Sequence, residues 1–318
     1  MRARRPALVL ILVLTLALVG ASSNAGAQTR LVIVSGLAGA PKYAQAFSQL
    51  SNALAQAAKD RAGLPDSAIA WYGDPAGTKS RWHRGPSQRD TLEAVLGRFG
   101  ERPVAEQLVL VLIGHGSGEG ADTKISLPGP DLTARDFSRI LGRLGSRRVA
   151  FLNLTSASGD MMSVLAAPGR VVITATKSAF ERNESHFGEY FVEAFAKDGA
   201  DTDKDNRVSM LEAFRYADAE TKRLYDADGR LATEHPQIAD ESEVARLFFL
   251  TPGARARASG NARLNVLYAE TFALDEQIQA LRKKKDSMTA DAYDAELERL
   301  LVPLALKSRE IRQLEKGP

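Results

Sequence analysis

Two short segments carry residue types that together could cleave an acyl bond. Gly114-His115-Gly116-Ser117-Gly118 closes one apolar run, and Thr155-Ser156-Ala157-Ser158-Gly159-Asp160 closes another. A histidine between glycines presents its ring with backbone N–H groups beside it, which suits a general base next to an oxyanion hole. Ser156 offers a hydroxyl nucleophile if its run lies beside that of His115. The chain has no cysteine, which excludes thiolate catalysis and thiolate metal sites. A serine has a far higher pKa than a thiol and needs a hydrogen-bonded base that is itself oriented by a third group. Asp122, Asp131 and Asp160 are the candidates by proximity in sequence. The other histidines, His83, His186 and His235, have no metal-ligand spacing and read as surface or internally satisfied rings.

A second chemistry lies in residues 201–212. Asp201, Asp203 and Asp205 occupy positions 1, 3 and 5 of a 12-residue EF-hand-type loop, and Arg207 offers its backbone carbonyl at position 7. Val208 is the apolar residue at position 8, Ser209 can hold a water at 9, and Glu212 can close the site at 12. Calcium takes six to eight oxygens, and a loop wrapped round the ion delivers them from alternate positions. Position 6 is Asn206 where glycine is usual; asparagine is the next residue to tolerate a left-handed backbone there. Only one such loop is visible, so a structural clip is expected and not a paired sensor.

These groups need a scaffold. Leu31–Val34, Ile69–Trp71, Leu108–Ile113, Val149–Leu154 and Val171–Thr174 are short apolar runs that read as buried strands. Helical spacing falls between them: residues 43–59 with Phe47, Leu50 and Leu54 on one face, then Leu92, Val95, Leu96 and Phe99. Residues 133–144 follow with Thr133 as N-cap, and then His186–Ala196. Strands alternating with helices, each strand nearly continuously apolar, predict an α/β fold with a mainly parallel sheet covered on both faces. Functional groups in such sheets collect past the C-terminal ends of the strands, where His115 and Ser156 fall.

The ends of the chain differ from its middle. Arg2, Arg4 and Arg5, the apolar run Ala7–Val19 and the small residues Ala25-Gly26-Ala27 read as a signal peptide over residues 1–27. An exported protein, periplasmic or extracellular and without a membrane span after cleavage, is expected. Residues 1–27 carry three of the 42 basic residues and none of the 39 acidic ones, so the remainder has 39 of each. Nucleic-acid binding thereby lacks its electrostatic motive. The cluster Arg282-Lys283-Lys284-Lys285 reads as a charged turn. Residues 28–250 form the α/β unit and 251–261 a Pro- and Gly-punctuated linker. Residues 262–316 form an amphipathic helical hairpin turning near Asp286–Ala290, in which Pro303 should kink the second helix. That hairpin either packs on its own domain or serves as an arm for a homo-oligomer or a partner.

The strand-end residues carry a resemblance. A His-Gly closing one strand, then an apolar strand closing in Ser156-Ala157-Ser158-Gly159, resembles the caspase/legumain clan of cysteine peptidases, over roughly residues 30–250. Val34-Ser35-Gly36-Leu37-Ala38-Gly39, Leu127–Asp131, Ala175–Ser178 and Asn183–Phe191 are similar to segments of its bacterial exported members. The resemblance implies a caspase-like three-layer sandwich. It places His115 at the catalytic histidine, Gly116 at a residue whose N–H helps form the oxyanion hole, and Ser156 where the catalytic cysteine belongs. With a hydroxyl in that place, a pseudopeptidase is expected: an exported, calcium-binding module whose cleft holds a peptide or protein ligand. The alternative is a peptidase or hydrolase using Ser156 with His115 as base.

Overall fold

The computed structural model describes residues 29–103, 106–205, 207–242, 244–250, 262–282 and 284–315. The expected leader (1–27), the linker (251–261) and Asn206 lie outside the described residues. The chain runs β1 (Thr29–Ser35), α1 (Pro41–Asp60), β2 (Ile69–Tyr72), β3 (His83–Gly85), α2 (Arg89–Gly100), β4 (Gln107–Ile113), β5 (Gly116–Ser117), β6 (Lys124–Ile125), β7 (Leu132–Thr133) and α3 (Ala134–Gly142). It continues through β8 (Val149–Asn153), α4 (Met161–Leu165), β9 (Arg170–Thr174), α5 (Phe187–Ala196), α6 (Met210–Ala227) and β10 (Gln237–Ala239). Two long helices follow, α7 (Ala262–Arg282) and α8 (Ala290–Glu315).

Seven strands form one sheet in the order β10-β9-β8-β4-β1-β2-β3. Every pairing in it is parallel except the edge pair β10–β9. Alternate residues of each central strand feed opposite faces, as a period of two requires. Leu31, Ile33, Val109, Val111, Leu152 and Ile173 meet the helices α1, α5 and α6. Val32, Val34, Leu108, Leu110, Phe151 and Val172 pack with residues of α2, α3 and α4. All seven residues of β4 are buried, which explains why its sequence is apolar from Leu108 to Ile113 and not alternating. The expected three-layer α/β sandwich with a mainly parallel sheet is the architecture found.

Several elements carry no apolar run of their own. The strands β5, β6 and β7 make a three-stranded antiparallel flap just beyond His115. β3 and β10 have three residues each and exist through pairing with β2 and β9. The α7–α8 pair is joined by a tight turn at Lys285–Ser287, where Lys284 and Lys285 are exposed, and Pro303 lies inside α8. No helix among the described residues is long and apolar enough to cross a membrane.

Candidate functional site

The parallel pairing of β4 with β8 brings the two strand ends together. Leu112 is in register with Asn153, and the Leu154 N–H donates to the Leu112 carbonyl at 2.9 Å. His115 and Ser156 each stand three residues past that register pair. Their segments touch: a Cβ added to Gly116 would lie 2.2 Å from the Ser156 carbonyl oxygen and 2.6 Å from Thr155 Oγ1. Only glycine fits there, because the Thr155–Ser156 turn crosses directly over it.

The His115 ring is half-buried between the loop after β1 and the start of α1. It meets Tyr43 edge-on at 4.6 Å between centroids and Phe47 at 5.2 Å. Its Nε2 lies 3.2 Å from the Ala38 carbonyl oxygen. A carbonyl only accepts, so this contact assigns the proton to Nε2 and leaves Nδ1 as the basic nitrogen. The carboxylates expected to orient His115 are engaged elsewhere. Asp160 accepts from the Gly120 and Ala179 N–H groups, Asp131 accepts from Leu127 and pairs with Lys124 at 2.8 Å, and Asp122 pairs with Arg135 at 3.2 Å. The residue behind His115 is therefore a backbone oxygen from β1's loop.

Ser156 is 8% exposed, at the start of a turn that the rest of the site holds rigidly. Ala157 adopts φ +51 and donates its N–H to the Glu181 carbonyl at 2.8 Å. Ser158 and Gly159 both donate to Thr176 Oγ1, at 2.8 and 3.0 Å. Gly159 presses on the Lys177–Ser178 peptide, where an added Cβ would come within 2.1 Å of backbone. Beneath, Thr155 donates through N–H and hydroxyl to Asn153 Oδ1. Two large apolar side chains stand exposed on loops at this end of the sheet: Leu37 after β1, 51% exposed, and Phe180 after β9, 76% exposed.

The acidic loop joins α5 to α6. One carboxylate oxygen from each of Asp201, Asp203 and Asp205 lies within 4.8 Å of the others. Glu212 does not join that cluster. As N3 of α6 it forms a capping box with Ser209: its Oε2 accepts from the Ser209 N–H at 3.0 Å and hydroxyl at 2.9 Å. Its Oε1 accepts from the Thr202 N–H and hydroxyl, both at 2.9 Å, so the one carboxylate ties both ends of the loop. The Arg207 N–H donates to Asp205 Oδ1 at 2.8 Å, and its guanidinium lies over the Phe249 ring, 3.4 Å from the centroid. Burial, and then the neighbouring Asp203 charge, pushes the Asp205 carboxyl up to about 8; burial lowers Arg207 to about 10. Three convergent hard oxygen donors, one of them with its proton affinity raised by burial and by its neighbours' charge, fit a divalent cation such as calcium.

The remaining histidines make ordinary contacts. His83 Nε2 lies 2.9 Å from the Gly73 carbonyl, His186 precedes α5 with its ring near Tyr225, and His235 Nδ1 lies 2.5 Å from Glu181. Sequence reasoning missed Ala38, Thr176 and Glu181. Ala38 and Glu181 act through backbone oxygens, which no side-chain pattern reveals.

No protein-family model matches the chain, and no curated protein matches it. Solved structures do. Caspase-1 from Spodoptera frugiperda aligns at 10% identity with a TM-score of 0.45, over 68% of this chain and 87% of that one. The Drosophila initiator caspase Dronc aligns at 12% and 0.42, over 67% and 79%. The structure of drICE aligns at 8% and 0.41, over 67% and 87%. Superpositions this loose leave function to be argued from the residues of the site.

Proposed function

We propose that this chain is an exported caspase/legumain-like pseudopeptidase: a calcium-binding module that holds an extended peptide or protein segment at the β4–β8 strand ends without cleaving it. The observation that carries the reading is the nucleophile position. Ser156 supplies a hydroxyl where hydrolysis of this kind uses a thiol, and the group behind His115 is the neutral Ala38 carbonyl and not a carboxylate. An uncharged carbonyl orients a ring but does little to stabilise the imidazolium that a serine mechanism must form. The turn itself is kept rigid, which serves a binding cleft as well as a catalytic one, and Leu37 and Phe180 offer apolar contacts to a ligand.

Calcium would be held by the carboxylates of Asp201, Asp203 and Asp205 and the Arg207 carbonyl, with Ser209 holding a water and Glu212 closing the loop. Bound there, the ion neutralises the clustered carboxylates and clips α5 to α6. Glu212 must then share oxygens that now hold Thr202 and Ser209.

The alternative reading, a hydrolase using Ser156 and His115, is favoured by the tautomer, since Nδ1 is the nitrogen left to accept a proton. Fluorescence anisotropy with a random peptide library, calcium present, tests the proposal. Retention of intact peptides by the protein and by Ser156→Ala, weakened by Leu37→Ser and Phe180→Ser, is the expected result. No retained peptide at any concentration defeats it.

A further inference from the structure

The α7–α8 hairpin buries one stripe of α8 and leaves another facing out. Tyr293, Leu297, Leu300 and Leu304 pack with Leu274, Ile278 and Leu281, and Ile311 packs with Leu264 and Leu267. Arg263–Glu310 at 2.7 Å and Lys307–Glu270 at 2.5 Å reinforce the pair. Those residues of the stripe are covered within the hairpin. On the opposite side, Asp291, Ala295, Glu298, Val302, Ala305 and Arg309 are all exposed and recur at steps of four and three. This is the spacing of a coiled-coil seam. Leu301 and Leu306 flank its centre, 44% and 61% exposed, and Val302 is 51% exposed.

We infer that this outer face of α8 pairs with the same face of a second copy of the chain, antiparallel, with Val302 opposite Ala305. The occupant follows from the order of charges. The apolar centre, Leu301 to Leu306, has Glu298 on its N-terminal side and Arg309 on its C-terminal side. Glu298 lies four residues before Val302, and Arg309 lies four residues after Ala305. A two-fold axis through the centre therefore sets Glu298 of each copy against Arg309 of the other, with the two Leu301 side chains along one flank of the seam and the two Leu306 side chains along the other. A parallel alignment would set Glu298 against Glu298 and Arg309 against Arg309. The surface is complementary to itself in one register and repels itself in the other, as an isologous interface requires. This inference is independent of what the cleft holds.

Sedimentation velocity of the full chain over a range of concentrations reads the dimer directly. Glu298→Arg and Arg309→Glu each place two like-charge pairs at the interface, and each alone is expected to weaken association about tenfold. The double reversal restores the opposite pairs and is expected to recover association close to that of the unaltered chain. Val302→Asp is expected to give a monomer with unchanged helical circular dichroism and melting temperature, which separates loss of pairing from loss of folding. An unaltered chain that stays monomeric throughout overturns the inference. So do single reversals that associate as tightly as the unaltered chain, or a folded double reversal that fails to recover.

Discussion

Replacing Gly116 by alanine tests whether the two strand ends are pressed together as described. The new methyl carbon would stand 2.2 Å from the Ser156 carbonyl oxygen and 2.6 Å from Thr155 Oγ1. Neither obstacle is the free end of a flexible side chain. The first is backbone, and the second is held between Asn153 Oδ1 at 2.8 Å and the Ser156 carbonyl at 3.0 Å, which share its one hydroxyl hydrogen. Overpacking of this kind costs about 2–3 kcal/mol. For a chain of this size each kcal/mol moves the melting temperature by roughly 2–4 °C, so a fall of about 4–12 °C is expected. Gly97→Ala is the internal control. It lies exposed in α2 with nothing within 4 Å of an added Cβ, and helix propensity predicts a gain of about 0.5–1 kcal/mol. Differential scanning calorimetry of both variants decides. Gly116→Ala melting at or above the unaltered chain would refute the contact between the His115 and Ser156 segments.

Three further outcomes follow from other parts of the structure. Calcium at a roughly hundredfold excess over its Kd should stabilise the chain by about 2.7 kcal/mol, and Glu212→Gln should abolish that shift and also lower the metal-free melting temperature, because the single amide oxygen can complete the capping box or accept from Thr202 but not both; calorimetry with and without the ion reads both. Glu234 is buried and accepts from the Ser185 hydroxyl, the His186 and Phe187 N–H groups and the Tyr225 hydroxyl, so Glu234→Ala should cost about 2–4 kcal/mol in chemical denaturation. The forked hydrogen bonds from Arg102 hold the Glu106 carboxyl below its ordinary 4.5 in spite of burial. Stability from that pair is fully present above about pH 4.5 and lost as pH falls through the lowered pKa, so Glu106→Gln should flatten the acid limb of a stability–pH curve and leave no such slope there to lose.

How much of this was legible depended on whether the signal was local. β4 announces itself because every one of its residues is buried on both faces, and α3 because Thr133 and Asp136 cap it reciprocally. The neighbouring placement of His115 and Ser156 follows from two apolar strands pairing in a parallel sheet. β10 was not legible: Gln237-Ile238-Ala239 has no strand pattern, and it exists by pairing with β9. Proximity in sequence points to Asp122, Asp131 and Asp160 as partners of His115, whereas the structure supplies the Ala38 carbonyl, 77 residues away. A backbone oxygen has no residue type to recognise. In the acidic loop Asp201, Asp203 and Asp205 converge, but Glu212 faces Thr202 and Ser209, because N–H donors at the two loop ends compete for its oxygens.

The central claim is that the cleft binds without cutting. The direct measurement is cleavage of a diverse peptide library by the folded, calcium-loaded protein, beside Ser156→Ala and His115→Ala. The account predicts no turnover above either variant. Cleavage that both substitutions abolish would contradict it and establish a hydrolase with Ser156 as nucleophile and His115 as base.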